Sequence, residues 1–143
     1  MQKACGSGGR GVRRRERRGA AAIEFAIVGP FFLLLVVGMI VYGGWLWMAH
    51  SVQAAVSEGA RAAVAGLDAA EREGLARDVV ADHLRDLGLR SGDATVEIDA
   101  DGRFFRVVVA YDAGRHPLMA LAPLTVAPPR VIRRTAVIQI SEA

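Results

Sequence analysis

A single carboxylate lies near the head of a long apolar stretch, and this stretch limits what the chain can fold into. From Gly19 to Ser57 the only charged side chain is Glu24, and a cluster of arginines ends directly before Gly19. A membrane-spanning helix needs about 20 apolar residues, so the stretch is long enough for one. A carboxylate near the start of such a helix is costly unless it finds a partner, which predicts a functional role for Glu24. The simpler alternative is that Glu24 reaches the lipid headgroups, because it lies only about one turn inside the stretch.

The apolar stretch occupies a large part of a chain of 143 residues, which leaves room for one small domain. Residues 20–49 would extend about 45 Å as a helix, against a hydrocarbon core of about 30 Å, so we expect the helix to protrude from the bilayer. Tyr42, Trp45 and Trp47 lie near its far end, and amphipathic rings prefer the membrane interface. We therefore expect the outer boundary of the bilayer between Tyr42 and His50, and a buried aromatic cluster is the alternative explanation for these residues.

The distribution of charge predicts the orientation of the span. Residues 1–19 carry seven basic and one acidic side chain, a net charge of +6, whereas residues 20–143 carry eleven arginines and fourteen acidic residues, a net charge of −3. The positive-inside rule therefore predicts a single-pass protein of the inner (cytoplasmic) membrane, with a cytoplasmic N-terminus and a periplasmic or otherwise extracytoplasmic C-terminal domain. A basic segment beside a span more often sets topology than binds nucleic acid, so we expect the bilayer and no nucleic acid as a partner.

The junction between the basic leader and the apolar stretch indicates a cleavage site. An ordinary secretory signal has an apolar region of only about 7 to 15 residues, and this stretch is far longer and continues into a helical pattern. The basic leader, residues 1–19, ends in a glycine. Cleavage after Gly19 would expose Ala20 as a new α-amino group and make Glu24 the fifth residue of the mature chain.

These residues resemble a known pattern. The segment from Gly19 to Phe25, GAAAIEF, is similar to the processing site of type IV prepilins and pseudopilins. The wider stretch from Arg17 to Ala65 resembles the TadE-like family of the tight adherence (Flp-type) pilus system more specifically. It combines RRGAA at its start, IEFA with its glutamate, an early proline at Pro30 and the SEGARAA segment at 57–63.

The resemblance implies a minor pseudopilin that a prepilin peptidase cleaves between Gly19 and Ala20 and that pilus assembly requires. It implies that Glu24 and Phe25 act in processing or subunit docking, and that Glu58 and Arg61 are a possible subunit contact. The implied partners are the prepilin peptidase, other pseudopilins, the major pilin and the inner-membrane assembly platform. Independently of the family, the α-amino group of Ala20 on a neighbouring subunit is a plausible cation for the Glu24 carboxylate.

The rest of the chain predicts an α+β domain behind the membrane helix. Helical spacing continues past the span through residues 50–66, an expected helical stalk whose apolar face is Val52, Val56, Ala60, Ala63 and Leu67. In the expected domain, residues 67–143, a break at Gly66 and Asp68 precedes an amphipathic helix that ends at Gly88 or Gly92. Its predicted inward side chains are Leu75, Val79, Leu84 and Leu87.

Three alternating segments predict a small antiparallel sheet on which this helix packs. They run from Thr95 to Ile98, from Phe105 to Tyr111 and from Ile132 to Ile140, with a hairpin turn at Asp101 and Gly102. The proline-bearing loop from Ala113 to Arg130 is apolar in its middle. We expect it to cover the core, and a partner surface is the alternative.

The sequence offers little for an enzyme. His50, His83 and His116 are scattered without metal-ligand spacing, and no nucleophile or phosphate-binding motif is recognisable, so we expect no catalytic residue, metal or cofactor. Two alternatives to the pseudopilin remain open. One is an uncleaved single-pass membrane adaptor of an envelope secretion or assembly complex, and the other is a membrane-tethered binding module for an extracellular ligand.

Overall fold

A computed structural model describes the backbone of residues 9–101 and 103–139, with side chains from Gly19 onward. Two helices are followed by three strands in a single sheet of order β1-β2-β3, with both strand pairs antiparallel. This confirms the α+β fold predicted from the sequence. The elements are α1 (Gly9–Ala63), α2 (Ala69–Asp86), β1 (Ala94–Asp101), β2 (Phe104–Asp112) and β3 (Val131–Gln139).

Helix α1 has two different halves. Apart from Gly29, every residue of 19–35, called here the bare segment, is exposed. From Val41 onward one face is buried, and this face carries much of the hydrophobic core through Met48, Val52, Val56 and Ala60. Residues 50–63, which lie in the expected stalk, therefore pack within the folded domain. Leu67, predicted on the same face, is exposed because α1 ends at Ala63 and the chain turns there.

The turn between the helices is fixed by side-chain hydrogen bonds. The Asp68 carboxylate caps α2 by accepting from the backbone N–H of Glu71 at 2.8 Å, and the Glu71 carboxylate accepts from the N–H of Leu67 at 2.7 Å. Together they satisfy two N–H groups at the helix start. The predicted break at Gly66 and Asp68 is confirmed.

Helix α2 buries Ala76, Val80 and Leu84, which are spaced four apart on one face. Of the predicted inward set only Leu84 is fully buried, and Leu75, Val79 and Leu87 lie half-buried. The difference arises because α2 crosses α1 closely, so small side chains occupy the contact and bulkier ones flank it.

The end of α2 is the first of the two predicted glycines. Gly88 has a φ of 74°, a conformation that glycine adopts without steric cost. The N–H of Leu89 donates to the carbonyl of Leu84 at 2.8 Å, and the N–H of Gly88 donates to that of Arg85 at 2.9 Å. This pair of bonds is the Schellman motif, and its hydrophobic contact joins two buried leucines.

The sheet faces the helices with one side. The inward residues of the central strand β2 are all buried, namely Phe105, Val107, Val109 and Tyr111. On the outer side Arg133 of β3 donates to Glu97 of β1 at 2.9 Å, across the central strand. Asp101 pairs with Phe104, so the predicted hairpin has a two-residue connection, of which Gly102 lies outside the described residues, as does Ile140.

The segment 113–130, called here the covering loop, lies along α1. It forms short 3-10 turns at Ala113–Arg115 and Pro117–Leu124. Its start is held by Arg115, which donates to Asp93 at 3.0 Å, and its end by Pro129, whose carbonyl accepts from the indole N–H of Trp45 at 2.8 Å. The loop therefore covers the core, as expected, but its middle also exposes large apolar side chains.

Candidate functional site

The predicted cleavage site lies on the bare segment, far along α1 from the core. Gly19 and Ala20 are helical and exposed, and a Cβ on Gly19 would meet no heavy atom within 4 Å. The predicted cleavage site therefore has no described side chain packed against Gly19. A peptidase would still have to unwind a local turn, and glycine lowers that cost because it weakens a helix by about 0.5–1 kcal/mol relative to alanine.

Glu24 projects from the bare segment among apolar neighbours. Its side chain is exposed, and the flanking residues Ile23, Phe25, Ile27 and Val28 are exposed as well. Ala20 and Glu24 are four residues apart, so they lie on the same face of the helix one turn from each other. The arrangement presents a carboxylate laterally, where another helix rather than the same domain could approach it.

Phe25 belongs to an apolar groove beside Pro30. Its ring lies over Gly29, at 3.7 Å from the position of a Cβ on that glycine, and the groove has a volume of about 540 Å³. α1 continues through Pro30, which has no N–H to donate to the carbonyl of Ala26. The groove is bordered by Phe25, Ala26, Val28, Gly29, Pro30, Phe32 and Leu33.

The predicted subunit contact forms an exposed ion pair near the other end of α1. Arg61 donates to Glu58 at 3.1 Å, with side-chain exposures of 77% and 48%. Both charges therefore remain available to another chain. The pair lies in the folded domain, whereas the Gly19–Phe25 segment lies at the opposite end of α1, so the structure brings these two sets of residues to separate places.

Gly59 has a structural role that its sequence pattern alone does not predict. A Cβ on Gly59 would lie 2.5 Å from a methyl carbon of Val80 and 2.9 Å from the carbonyl oxygen of Ala76. Both distances are shorter than real contacts, so only glycine allows this crossing of α1 and α2. The signal for it was the run of small residues around Gly59 in the segment SEGARAA, a composition typical of close helix contacts.

Gly44 serves a similar purpose for the covering loop. A Cβ there would lie 2.6 Å from a methyl carbon of Leu118, so the leucine side chain fills the space that glycine leaves on α1. Within the described residues, Gly44 therefore receives the chain's own loop. At Gly43, by contrast, a Cβ would meet nothing within 4 Å.

Comparison with known families reaches the same part of the chain. Residues 19–61 match the TadE-like protein family. The TadE-like segment begins at the predicted cleavage site and ends at Arg61, so it contains the bare segment, the ion pair and Gly59. It covers 43 of 143 residues. No curated protein and no solved structure matches the chain.

The resemblance predicted from the sequence is thereby confirmed over α1. The TadE-like match suggests involvement in the tight adherence pilus system and implies association with pilus assembly components in general. The segment Gly19–Ala63 is a candidate membrane span with a mean hydropathy of 2.5 in its most apolar window. Only 6% of that window is buried, whereas the core helix of a soluble protein would be mostly buried. The helix is therefore consistent with a membrane-anchored protein.

Proposed function

We propose that this protein is a minor pseudopilin-like component required for assembly of a tight adherence (Flp-type) pilus, and that a prepilin peptidase cleaves it after Gly19. One observation carries the proposal. The TadE-like match begins at Gly19, an exposed glycine on a bare apolar helix, and one carboxylate follows five residues later. In this proposal the protein is not an enzyme. The chemistry is performed on the Gly19–Ala20 bond.

The bare segment supports a position in the inner membrane. The twenty residues that follow the basic leader extend about 30 Å as a helix, which equals the thickness of the hydrocarbon core. The arginines before the span favour a cytoplasmic N-terminus by the positive-inside rule, and the folded domain would then be extracytoplasmic. The peptidase would meet the scissile bond at the cytoplasmic surface.

Glu24 supports docking between subunits. In lipid a carboxylate must be neutralised, hydrogen-bonded or paired, and the fold of this chain leaves Glu24 exposed to its surroundings. After cleavage, the α-amino group of Ala20 on a neighbouring subunit would supply a cation at a similar depth. The apolar groove at Phe25 and Pro30 would receive side chains of the same neighbour, which would be another pseudopilin or the major pilin.

The test is intact mass and N-terminal sequencing of the membrane-extracted protein, co-expressed with its cognate prepilin peptidase. Gly19→Leu is the informative variant, because a Cβ at this position meets no described atom within 4 Å, so the substitution should affect recognition alone. Gly43→Leu is the matched control, since it adds the same side chain to an equally open position on the same helix.

We expect an N-terminus at Ala20 in the wild type and in Gly43→Leu, and an intact leader in Gly19→Leu. A wild-type chain that keeps its arginine-rich leader beside an active peptidase would contradict processing. It would favour the uncleaved single-pass adaptor of an envelope assembly complex, which shares the same fold and span.

A further inference from the structure

The covering loop reaches toward the bare segment of α1 and turns back. Leu118 contacts α1 at Gly44, a methyl carbon of Thr125 lies 3.9 Å from the Cβ position of Gly38, and Pro129 returns to Trp45. The positions 44 and 38 are about 9 Å apart along a helix axis. The part of the loop that lies nearest the bare segment along α1 is therefore residues 121–126, called here the loop tip.

The loop tip carries apolar side chains that its own fold leaves uncovered. Leu121, Leu124 and Val126 are all exposed, and Val126 is 79% exposed. Residues 117–129 contain no charged side chain, and basic residues lie on either side of them, at Arg115 and Arg130. An apolar surface with a basic margin is typical of elements that lie in a membrane interface.

The depth of the loop tip matches the outer edge of the bilayer. If the hydrocarbon core begins at Ala20, Gly38 lies about 27 Å along the helix, just within a core of about 30 Å. Thr125 packs at Gly38, so its neighbours Leu124 and Val126 lie at the level where acyl chains give way to headgroups. This level is earlier along α1 than the boundary at Tyr42 to His50 expected from the aromatic residues.

The backbone of the covering loop is also suited to a medium with little water. Unpaired N–H groups are costly there, and the loop reduces their number with four prolines, at 117, 123, 128 and 129. Among its other N–H groups, that of Thr125 donates to the carbonyl of Ala122 at 3.0 Å and that of Met119 donates to the carbonyl of His116 at 2.9 Å.

We propose that the loop tip is seated in the outer leaflet of the bilayer that α1 spans, with Leu124 and Val126 among the upper acyl chains. The loop would then fix the depth and tilt of the folded domain at the membrane surface. The proposal rests on the membrane position of α1 given under the proposed function. Lipid is the expected neighbour of the loop tip because Thr125 packs at Gly38, on the helix that would form the span, and Leu124 and Val126 beside it are exposed.

The experiment uses the full chain in phosphatidylcholine and phosphatidylglycerol vesicles, with Cys5→Ala as the background. Single cysteines carrying an environment-sensitive fluorophore replace Leu124 and Val126 in the loop tip, Leu34 in the bare segment and Thr135 on the outer side of β3. All four side chains are exposed, so the substitutions leave the packing intact. Lipids with a nitroxide at a shallow or a deep acyl position quench the fluorophore according to its depth.

We expect shallow nitroxides to quench the probes at 124 and 126, deep nitroxides to quench the probe at 34, and neither to quench the probe at 135. If the probe at 34 is quenched and those at 124 and 126 behave like that at 135, the loop proposal is wrong while the span stands. If the unlabelled cysteine at 124 instead cross-links between copies, and the labelled one escapes quenching, the loop tip is a subunit interface and the proposal is equally wrong. An unquenched probe at 34 overturns the membrane position of α1, and the loop proposal with it.

Discussion

The backbone of Gly59 in α1 lies against the carbonyl of Ala76 in α2, so close that a Cβ would be 2.9 Å from the carbonyl oxygen. This contact is the crossing point of the two helices that support the sheet. It falls inside the TadE-like segment, two residues from its end at Arg61. The matched segment therefore combines a candidate membrane span with the contact on which the folded domain is built.

Gly59→Ala should destabilise the folded domain by about 1–3 kcal/mol, the usual cost of forcing an extra carbon into a packed contact. The backbone carbonyl of Ala76 cannot move aside as a side chain end could. The measurement is denaturant unfolding of the full chain in detergent, followed by tryptophan fluorescence, because Trp45 is packed against the core.

Gly74→Ala is the control for this prediction. Gly74 lies in α2, where an added Cβ meets nothing within 4 Å, so alanine should stabilise the helix by about 0.5–1 kcal/mol. Opposite signs for the two substitutions are expected. Equal effects would mean that the crossing tolerates a wider separation than the structure has.

Trp45→Phe should loosen the covering loop. The substitution removes the indole N–H that donates to the carbonyl of Pro129 at 2.8 Å, a loss of about 0.5–1.5 kcal/mol. Hydrogen exchange should become faster at the amides of Met119 and Thr125, which bond within the loop. Trp47→Phe is the control, because the Trp47 ring is half-exposed and meets His116 only edge-on at 6.4 Å between centroids. Unchanged exchange in Trp45→Phe would show that the hydrogen bond from Trp45 to Pro129 does not hold the loop in place.

Tyr111 predicts how stability depends on alkaline pH. Burial at the end of β2, and then the nearby Asp93 carboxylate, raise the pKa of its phenol above 10.0. The folded protein holds this proton more tightly than the unfolded chain. The contribution of Tyr111 to the free energy of unfolding is therefore complete below about pH 10 and is lost as the pH rises through the raised pKa. Tyr111→Phe should therefore show a shallower fall of the unfolding midpoint in that range.

The control substitution is Tyr42→Phe. Tyr42 is the other tyrosine of the chain and is exposed on α1, so Tyr42→Phe removes a phenol without disturbing the core. Identical slopes for wild type and Tyr111→Phe would contradict a buried, proton-holding phenol.

Local patterns were enough to predict most elements. The alternation in Phe105, Val107, Val109 and Tyr111 predicted the central strand because one side of a sheet must be buried. Gly88 was one of two candidates for the end of α2, and the hydrogen bonds of the Schellman motif chose it. The residues Gly19 to Phe25 could be located from their pattern, because a glycine after a basic leader and a lone carboxylate in an apolar stretch are both visible in the sequence.

Contacts between distant segments could not be predicted in this way. From the local pattern, Gly59 would only weaken helix α1. Its role becomes clear once Ala76, in another helix, is known to lie against it. The predicted inward face of α2 differs from the observed one for the same reason. Hydrophobicity alone favoured Leu75, whereas the smaller Ala76 is the buried residue. The covering loop had no periodicity, and its course is set by its fit to Gly44 and Trp45 on α1.

Substitutions in the Glu58–Arg61 pair should affect assembly without affecting the stability of the fold. Exchanging the charges with Glu58→Arg and Arg61→Glu should change the free energy of unfolding by less than about 0.5 kcal/mol, because exposed pairs three apart on a helix are weak. If another subunit binds through these charges, the protein with exchanged charges should fold normally and fail to co-purify with the other pilus components. Wild-type co-purification would mean that the pair is simply solvated.

Glu24→Gln tests the proposed docking of subunits. The amide keeps the shape of the side chain but carries no charge, so it cannot pair with the α-amino group of a neighbour. Because Glu24 is exposed and far from the core, the variant should fold and insert like the wild type. We expect it to lose co-assembly with the other pilus subunits, as measured by cross-linking in membranes.

The matched variant is Glu24→Asp, which keeps the charge on a shorter side chain and should retain part of the assembly. N-terminal sequencing of both variants separates a defect in cleavage from a defect in docking, since a chain that begins at Ala20 has been processed. If Glu24→Gln is processed and co-assembles as well as the wild type, the carboxylate does not pair with the new N-terminus. It would then serve only as a headgroup contact at the N-terminal end of the candidate span, where its short distance from the basic leader would let it reach the interface.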